Sequence, residues 1–131
     1  MRRWWLGGVA LGLAALVWRA RPFRVAVEGW SMAPAFEPGD YLVAVRPGTV
    51  RRGDVVVVGH PRRDMEVLKR VVGEPGEVAE GLPLGPDEYL VVGDNRTAST
   101  DGRAFGPIPR SAIRGVVRFR YWPRPKVIGS G

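Results

Sequence analysis

The sequence contains no cysteine, which removes disulfide bridges, a thiol nucleophile and thiolate zinc sites together. Histidine occurs once, at His60, so imidazole catalysis would rest on that single side chain. Acidic residues are also short: 13 Asp and Glu stand against 20 Lys and Arg, a formal net charge of +7. That balance favours anionic lipid headgroups or nucleic acid as partners. The arginines (Arg51, Arg62, Arg70, Arg96, Arg118, Arg124) are scattered, and no helix-turn-helix pattern, aromatic-interleaved basic stripe or zinc-finger spacing accompanies them. A membrane surface therefore suits the charge better than nucleic acid, and no nucleic-acid partner is expected. What is present, 131 residues with 45% hydrophobic and 25% charged, fits one modest folded domain with an appendage.

The appendage is the first segment. Between Arg3 and Arg19 the chain is uncharged from Trp4 to Trp18, with tryptophan at both ends, where amphipathic rings favour headgroup depth. As a helix this run reaches only about 21 Å at ~1.5 Å per residue, short of a hydrocarbon core of roughly 30 Å. Local thinning or snorkelling of Arg3 and Arg19 would have to close the gap. A removable secretory signal shares the basic start and apolar middle, but Val17-Trp18-Arg19-Ala20-Arg21 offers no A-x-A-like cleavage site. Residues 1–22 are thus expected to form a transmembrane anchor. Basic residues flank it on both sides (Arg2 and Arg3 before; Arg19, Arg21 and Arg24 after), and the positive-inside rule leaves its orientation open.

After Pro22 the helical period vanishes, and short valine-rich runs alternate with Gly, Pro and Asp. This pattern predicts strands near 23–28, 41–46, 54–59, 65–72, 88–92 and 114–121. The turns fall at Pro38-Gly39-Asp40, Arg52-Gly53-Asp54, Pro75-Gly76-Glu77 and Gly85-Pro86-Asp87. No helical run is long enough to cross over a parallel sheet. A mainly β class follows: a small antiparallel or mixed barrel-like domain over 23–126, with a frayed tail at 127–131.

Three segments carry candidate chemistry. In Glu28-Gly29-Trp30-Ser31-Met32-Ala33-Pro34, a hydroxyl follows a strand between a conformationally free glycine and a proline that stops regular structure. Serine needs a base, and a lysine serves only where burial lowers its pKa from about 10.4. In an extended run Met65, Val67, Lys69 and Val71 share one face while Glu66, Leu68, Arg70 and Val72 take the other. Lys69 then sits among apolar neighbours, although two exposed cations on an edge strand would also account for Lys69-Arg70. The third segment, Gly93 to Pro107, is a polar loop dense in short hydrogen-bonding side chains. It offers the Ser99 hydroxyl to orient a lysine and an Asp101/Arg103 pair to brace the loop, or simply a self-bonded turn.

Taken in order, these segments resemble the boxes of the type I signal peptidases. Gly29-x-Ser31-Met32-x-Pro34 is similar to the nucleophile box, Lys69-Arg70-Val71-Val72-Gly73-x-Pro75-Gly76 to the lysine box, and Gly93-Asp94-Asn95 with Ser99-x-Asp101-x-Arg103 to the last box. The resemblance runs from Val25 to Pro123 and implies a membrane-anchored Ser/Lys endopeptidase that removes signal or leader peptides from preproteins after small residues. It implies Ser31 as nucleophile, Lys69 as general base and Ser99 as the hydroxyl holding the lysine amine. The oxyanion would meet the Ser31 N–H, with Gly29 where some members carry a second donor. Asp94, Asp101 and Arg103 would give structural support, and Val27, Met32, Phe36, Val67 and Leu68 would flank the substrate, bound as an added strand. The catalytic domain would lie on the outer face of a cell membrane, crossed once. No cofactor and no metal are implied. Ala35 and Gly102 depart from the family pattern, and only Glu74 to Val92 fills the place where larger members insert a second domain. Short members with such loops also resemble maturation proteases for nickel-type superoxide dismutase precursors.

Other readings stay open at this point. His60 could serve a Ser/His/Asp triad, though a lone histidine beside Pro61 also fits a solvated loop. A membrane-tethered β module could bind peptide along a sheet edge without chemistry. A self-cleaving Ser/Lys protease of the repressor type would need a DNA-binding domain where this chain has its apolar segment.

Overall fold

The computed structural model describes residues 9–15, 20–95 and 106–129. Among these described residues ten strands appear in order: β1 (Phe23–Ala26), β2 (Tyr41–Val45), β3 (Val55–Gly59), β4 (Glu66–Gly73), β5 (Val78–Ala79), β6 (Leu82–Pro83), β7 (Glu88–Val92), β8 (Ile108–Pro109), β9 (Ile113–Trp122) and β10 (Lys126–Val127). The main sheet is ordered β1-β2-β9-β3-β4-β7-β8, with β10 also on β9, and β5 and β6 form a separate hairpin. All pairings among the described residues are antiparallel. Residues 9–15 are helical and exposed. No helix of the described residues is long and apolar enough to cross a membrane, and the expected span at 1–22 lies partly outside them.

Alternation explains how one sheet buries two cores. Along β3, Val55 and Val57 join a cluster with Leu42, Ala44, Leu68, Met32 and Phe36. The intervening Val56 and Val58 join a second cluster with Val71, Val91, Ile113 and Val116. A strand covered on both faces reads as a continuous valine run rather than an alternating one, which is what Val55 to Val58 is. The third, smaller cluster of Ala79, Leu84 and Leu90 sits under the β5–β6 hairpin. Gly73 makes room for it: a Cβ there would stand 2.5 Å from the Ala79 Cβ and 2.8 Å from the Leu84 Cδ1.

The six expected strands agree with β1, β2, β3, β4, β7 and β9 to within about two residues. The very short β5, β6, β8 and β10 were not expected, because two-residue bridges carry no periodicity. The residues from 127, expected as a frayed tail, begin with two that bond to β9. Val127 pairs with Phe119 and the Ile128 N–H donates to the Arg118 carbonyl at 2.9 Å. Arg120, whose Nε donates to the Arg124 carbonyl at 2.9 Å, holds the returning chain against β9.

Four antiparallel steps (β1 to β2, β2 to β9, β9 to β3, β3 to β4) leave β1 and β4 pointing the same way. The sheet curls enough for these two strands to line one groove, and that juxtaposition positions the site.

Candidate active site

The groove has a volume of about 370 Å³. Residues 23–28 form one wall and residues 65–68 the other, with Val57 and Met32 between them and Gly29 and Ser31 at its end. Two physical features turn the chain at Ser31. Gly29 has φ +80, a backbone region that side chains with a Cβ rarely adopt. Beyond it, the Ala33 N–H donates to the Trp30 carbonyl at 3.1 Å and the Phe36 N–H to the Met32 carbonyl at 3.0 Å, closing a single helix-like turn. Met32 and Phe36, four residues apart, both enter the first core cluster. This burial anchors the turn while Ser31 stays partly exposed on it.

Lys69 stands near the middle of β4, opposite Val56 of β3. It is 3% exposed, and it shares its strand face with Val71, which is in the second cluster, and with Val67, which is partly buried against it. Among the described residues no buried side-chain nitrogen or oxygen lacks a hydrogen-bond partner. Arg70, its neighbour, behaves differently. Its Nε and Nη2 each donate to a carboxylate oxygen of Asp94 at 2.9 Å, and its Nη1 donates to the Gly53 carbonyl at 2.8 Å. Asp94, as hydrogen-bond and charge partner, raises the guanidinium pKa further above its already high ordinary value, against the opposing effect of burial. The planar fork suits this bidentate contact, which a lysine could not make.

The last box closes the arrangement through its backbone. The Asn95 N–H donates to the Ser31 carbonyl at 2.8 Å, so the Ser31 turn is fastened to the residue after Asp94, and Asp94 to the residue after Lys69. The last box is thus hydrogen-bonded to the other two, to Ser31 through the Asn95 N–H and to Arg70 through Asp94, while Lys69 itself is not among the residues lining the groove. Ser99, Asp101 and Arg103 lie outside the described residues. Of the expected substrate-flanking residues, Val27, Met32, Val67 and Leu68 line the groove. Phe36 does not: it is 2% exposed and lies in the core beside Met32, because the turn that presents Ser31 rolls the aromatic ring inward. Phe23, Val25, Val57, Met65 and Glu66 also line the groove. Sequence reasoning missed them, although the β1 alternation of half-buried Phe23 and Val25 with exposed Arg24 and Ala26 was the signal available.

His60 is absent from the groove lining. Its Nδ1 accepts the Arg62 backbone N–H at 3.0 Å, which makes it part of the β3–β4 turn. No group of His, Cys, Asp or Glu among the described residues could hold a metal ion.

Comparison with known proteins shows the family. The chain is 38% identical over 122 residues to the mitochondrial ATP-independent inner membrane protease subunit 1a of Arabidopsis thaliana, covering 79% of this chain and 72% of that protein. It is 29% identical over 146 residues to signal peptidase IB of Staphylococcus aureus (strain COL), covering 74% of this chain and 76% of that protein. The family described as "Signal peptidase, peptidase S26" matches residues 1–81 and 78–122. With that match spanning most of its length, the chain belongs to the signal peptidase S26 family.

Proposed function

We propose that this protein is a membrane-anchored serine endopeptidase that removes N-terminal signal or leader peptides after small residues, with Ser31 as nucleophile and Lys69 as general base. The observation that supports the reading is that Asn95 and Asp94 tie the Ser31 turn to the neighbour of Lys69 on β4. A partly exposed serine on a rigid turn is bonded through its carbonyl to Asn95, beside a strand whose lysine is almost wholly withdrawn from water. Burial penalises an ammonium ion and favours the neutral amine, the form able to accept a proton.

In this reading Ser31 Oγ attacks the scissile carbonyl and its proton passes to Lys69 Nζ. The tetrahedral oxyanion faces the Ser31 N–H, with Gly29 leaving space beside it. Lys69 then protonates the leaving amine, the acyl-enzyme forms on Ser31, and water activated by the same lysine releases the leader. Ser99 would hold the lysine amine, while Asp94, Asp101 and Arg103 would brace the loop. Residues 1–22 would anchor a catalytic domain of residues 23–126 on the outer face of the membrane. The relatives named as an inner membrane protease subunit and a signal peptidase support the substrate class and the association with a membrane.

The test is incubation of detergent-solubilised protein with a preprotein bearing a small-x-small site, reading the new N-terminus by mass spectrometry. Wild type should cut there, and folded Ser31→Ala and Lys69→Ala should not. Cleavage by Lys69→Ala at the wild-type rate would dispose of the dyad.

A further inference from the structure

The groove is longer than a site reading only small residues beside the scissile bond requires. From Val27, next to the Ser31 turn, β1 runs back through Val25 to Phe23, and at ~3.3 Å per residue this wall adds about 13 Å. Because β1 and β4 point the same way, Met65 and Glu66 stand at the Phe23 end, and Leu68 stands at the Ser31 end. Side chains of a strand laid between them would dip toward the floor at every second residue. The inward β1 residues Val27, Val25 and Phe23 mark three such positions.

The third position has a particular construction. The Phe23 ring is recessed over β9, where Gly115 has no side chain: a Cβ there would stand 2.6 Å from the Phe23 Cζ and 3.0 Å from the Val45 carbonyl oxygen. Phe23 packs against the first core cluster yet still lines the groove, as does Met65, which is 47% exposed. An aromatic floor beside a flexible, exposed thioether is suited to an apolar side chain. Arg24 and Glu66, both exposed, sit beside them at this end of the groove.

We infer that Phe23 and Met65 form a distal specificity subsite for a large apolar side chain about five residues upstream of the scissile bond, with Gly115 as the positioning residue that keeps the Phe23 ring recessed. This rests on the proteolytic reading and on the leader side of the substrate occupying the groove. It adds a feature of the removed peptide that the enzyme reads beyond its small residues.

Peptides with alanine at the first and third positions upstream of the cut, and leucine, alanine or aspartate at the fifth, test it with the full chain in detergent. Wild type should favour leucine over aspartate by about tenfold in kcat/KM, mainly through KM, as expected for losing part of a leucine burial. Met65→Ser should shrink that ratio toward one, and so should Gly115→Ala, provided that its circular dichroism and melting show a folded protein. Equal cleavage of the three peptides by wild type, or a full leucine preference in Met65→Ser, overturns the subsite and leaves the proteolytic reading standing. Failure of wild type to cut any of them takes down both.

Discussion

Two regions of this molecule are fastened by an arginine and a carboxylate, and they are built in opposite ways. At the site, Arg70 and Asp94 are 29% and 21% exposed and meet through two parallel hydrogen bonds. Beside the β5–β6 hairpin, Arg52 and Glu77 are 57% and 39% exposed. The first pair links the strand carrying Lys69 to the residue before Asn95, and so to Ser31. The second fastens one surface turn to another. Position in the contact network, rather than the presence of an ion pair, decides what each is worth: exposed pairs are screened by water and salt, whereas partly desolvated ones leave an unsatisfied charge when broken.

The comparison breaks most sharply at the site itself. Ser31→Ala and Lys69→Met should each lower kcat/KM by at least about 10³-fold, the scale seen when one member of a catalytic unit is removed. Their thermal unfolding should remain cooperative. Asp94→Asn comes next. It leaves the Arg70 guanidinium half-buried without its counter-charge, and should cost about 2 kcal/mol in urea unfolding, with an activity loss of about tenfold as the Asn95–Ser31 link loosens. Retained activity with lost stability would show that the Arg70–Asp94 pair serves the fold alone.

The hairpin side should answer differently. Gly73→Ala forces the Ala79 and Leu84 contacts apart and should destabilise by about 1–3 kcal/mol, while kcat/KM measured below the melting range falls little. Glu77→Gln should have the smallest effect. The Arg52 hydrogen bond, helped by the Glu74 backbone N–H, holds the Glu77 pKa below its usual 4.5. A depressed folded-state value means that its contribution is complete above about pH 4.5 and is lost as pH falls through the lowered pKa. Melting curves of wild type and Glu77→Gln should therefore differ slightly at neutral pH and converge in acid. A larger gap at pH 3 than at pH 7 would reverse that sign.

Much of the fold was legible because valine-rich runs between Gly-Asp and Pro-Gly turns leave few choices. Val55 to Val58 and Glu88 to Val92 needed only their composition to be read as strands. The short pairings were illegible for the same reason: Ile108–Pro109 and Lys126–Val127 are held by neighbours on β7 and β9, not by their own pattern. In the site, Ser31 and Lys69 were marked by their sequence surroundings. The role of Arg70 was not, since a Lys-Arg pair says nothing of which cation will find a carboxylate. Phe36 misled because a residue five beyond the serine could face either groove or core, and the turn geometry chose the core.

The sequence by itself determined the alternating two-sided β pattern, the absence of thiol and histidine-cluster chemistry, and the three ordered boxes that place this chain in its family. These are local properties, encoded by side-chain type and spacing within a few residues. Tertiary structure alone decided that Asp94 pairs with Arg70 on β4, that the Asn95 backbone holds the Ser31 carbonyl, and that a glycine on β9 makes room for a phenylalanine from β1. Each of those depends on pairing between segments tens of residues apart. Such contacts are set by the register and curl of the whole sheet, and no short stretch of chain contains that information.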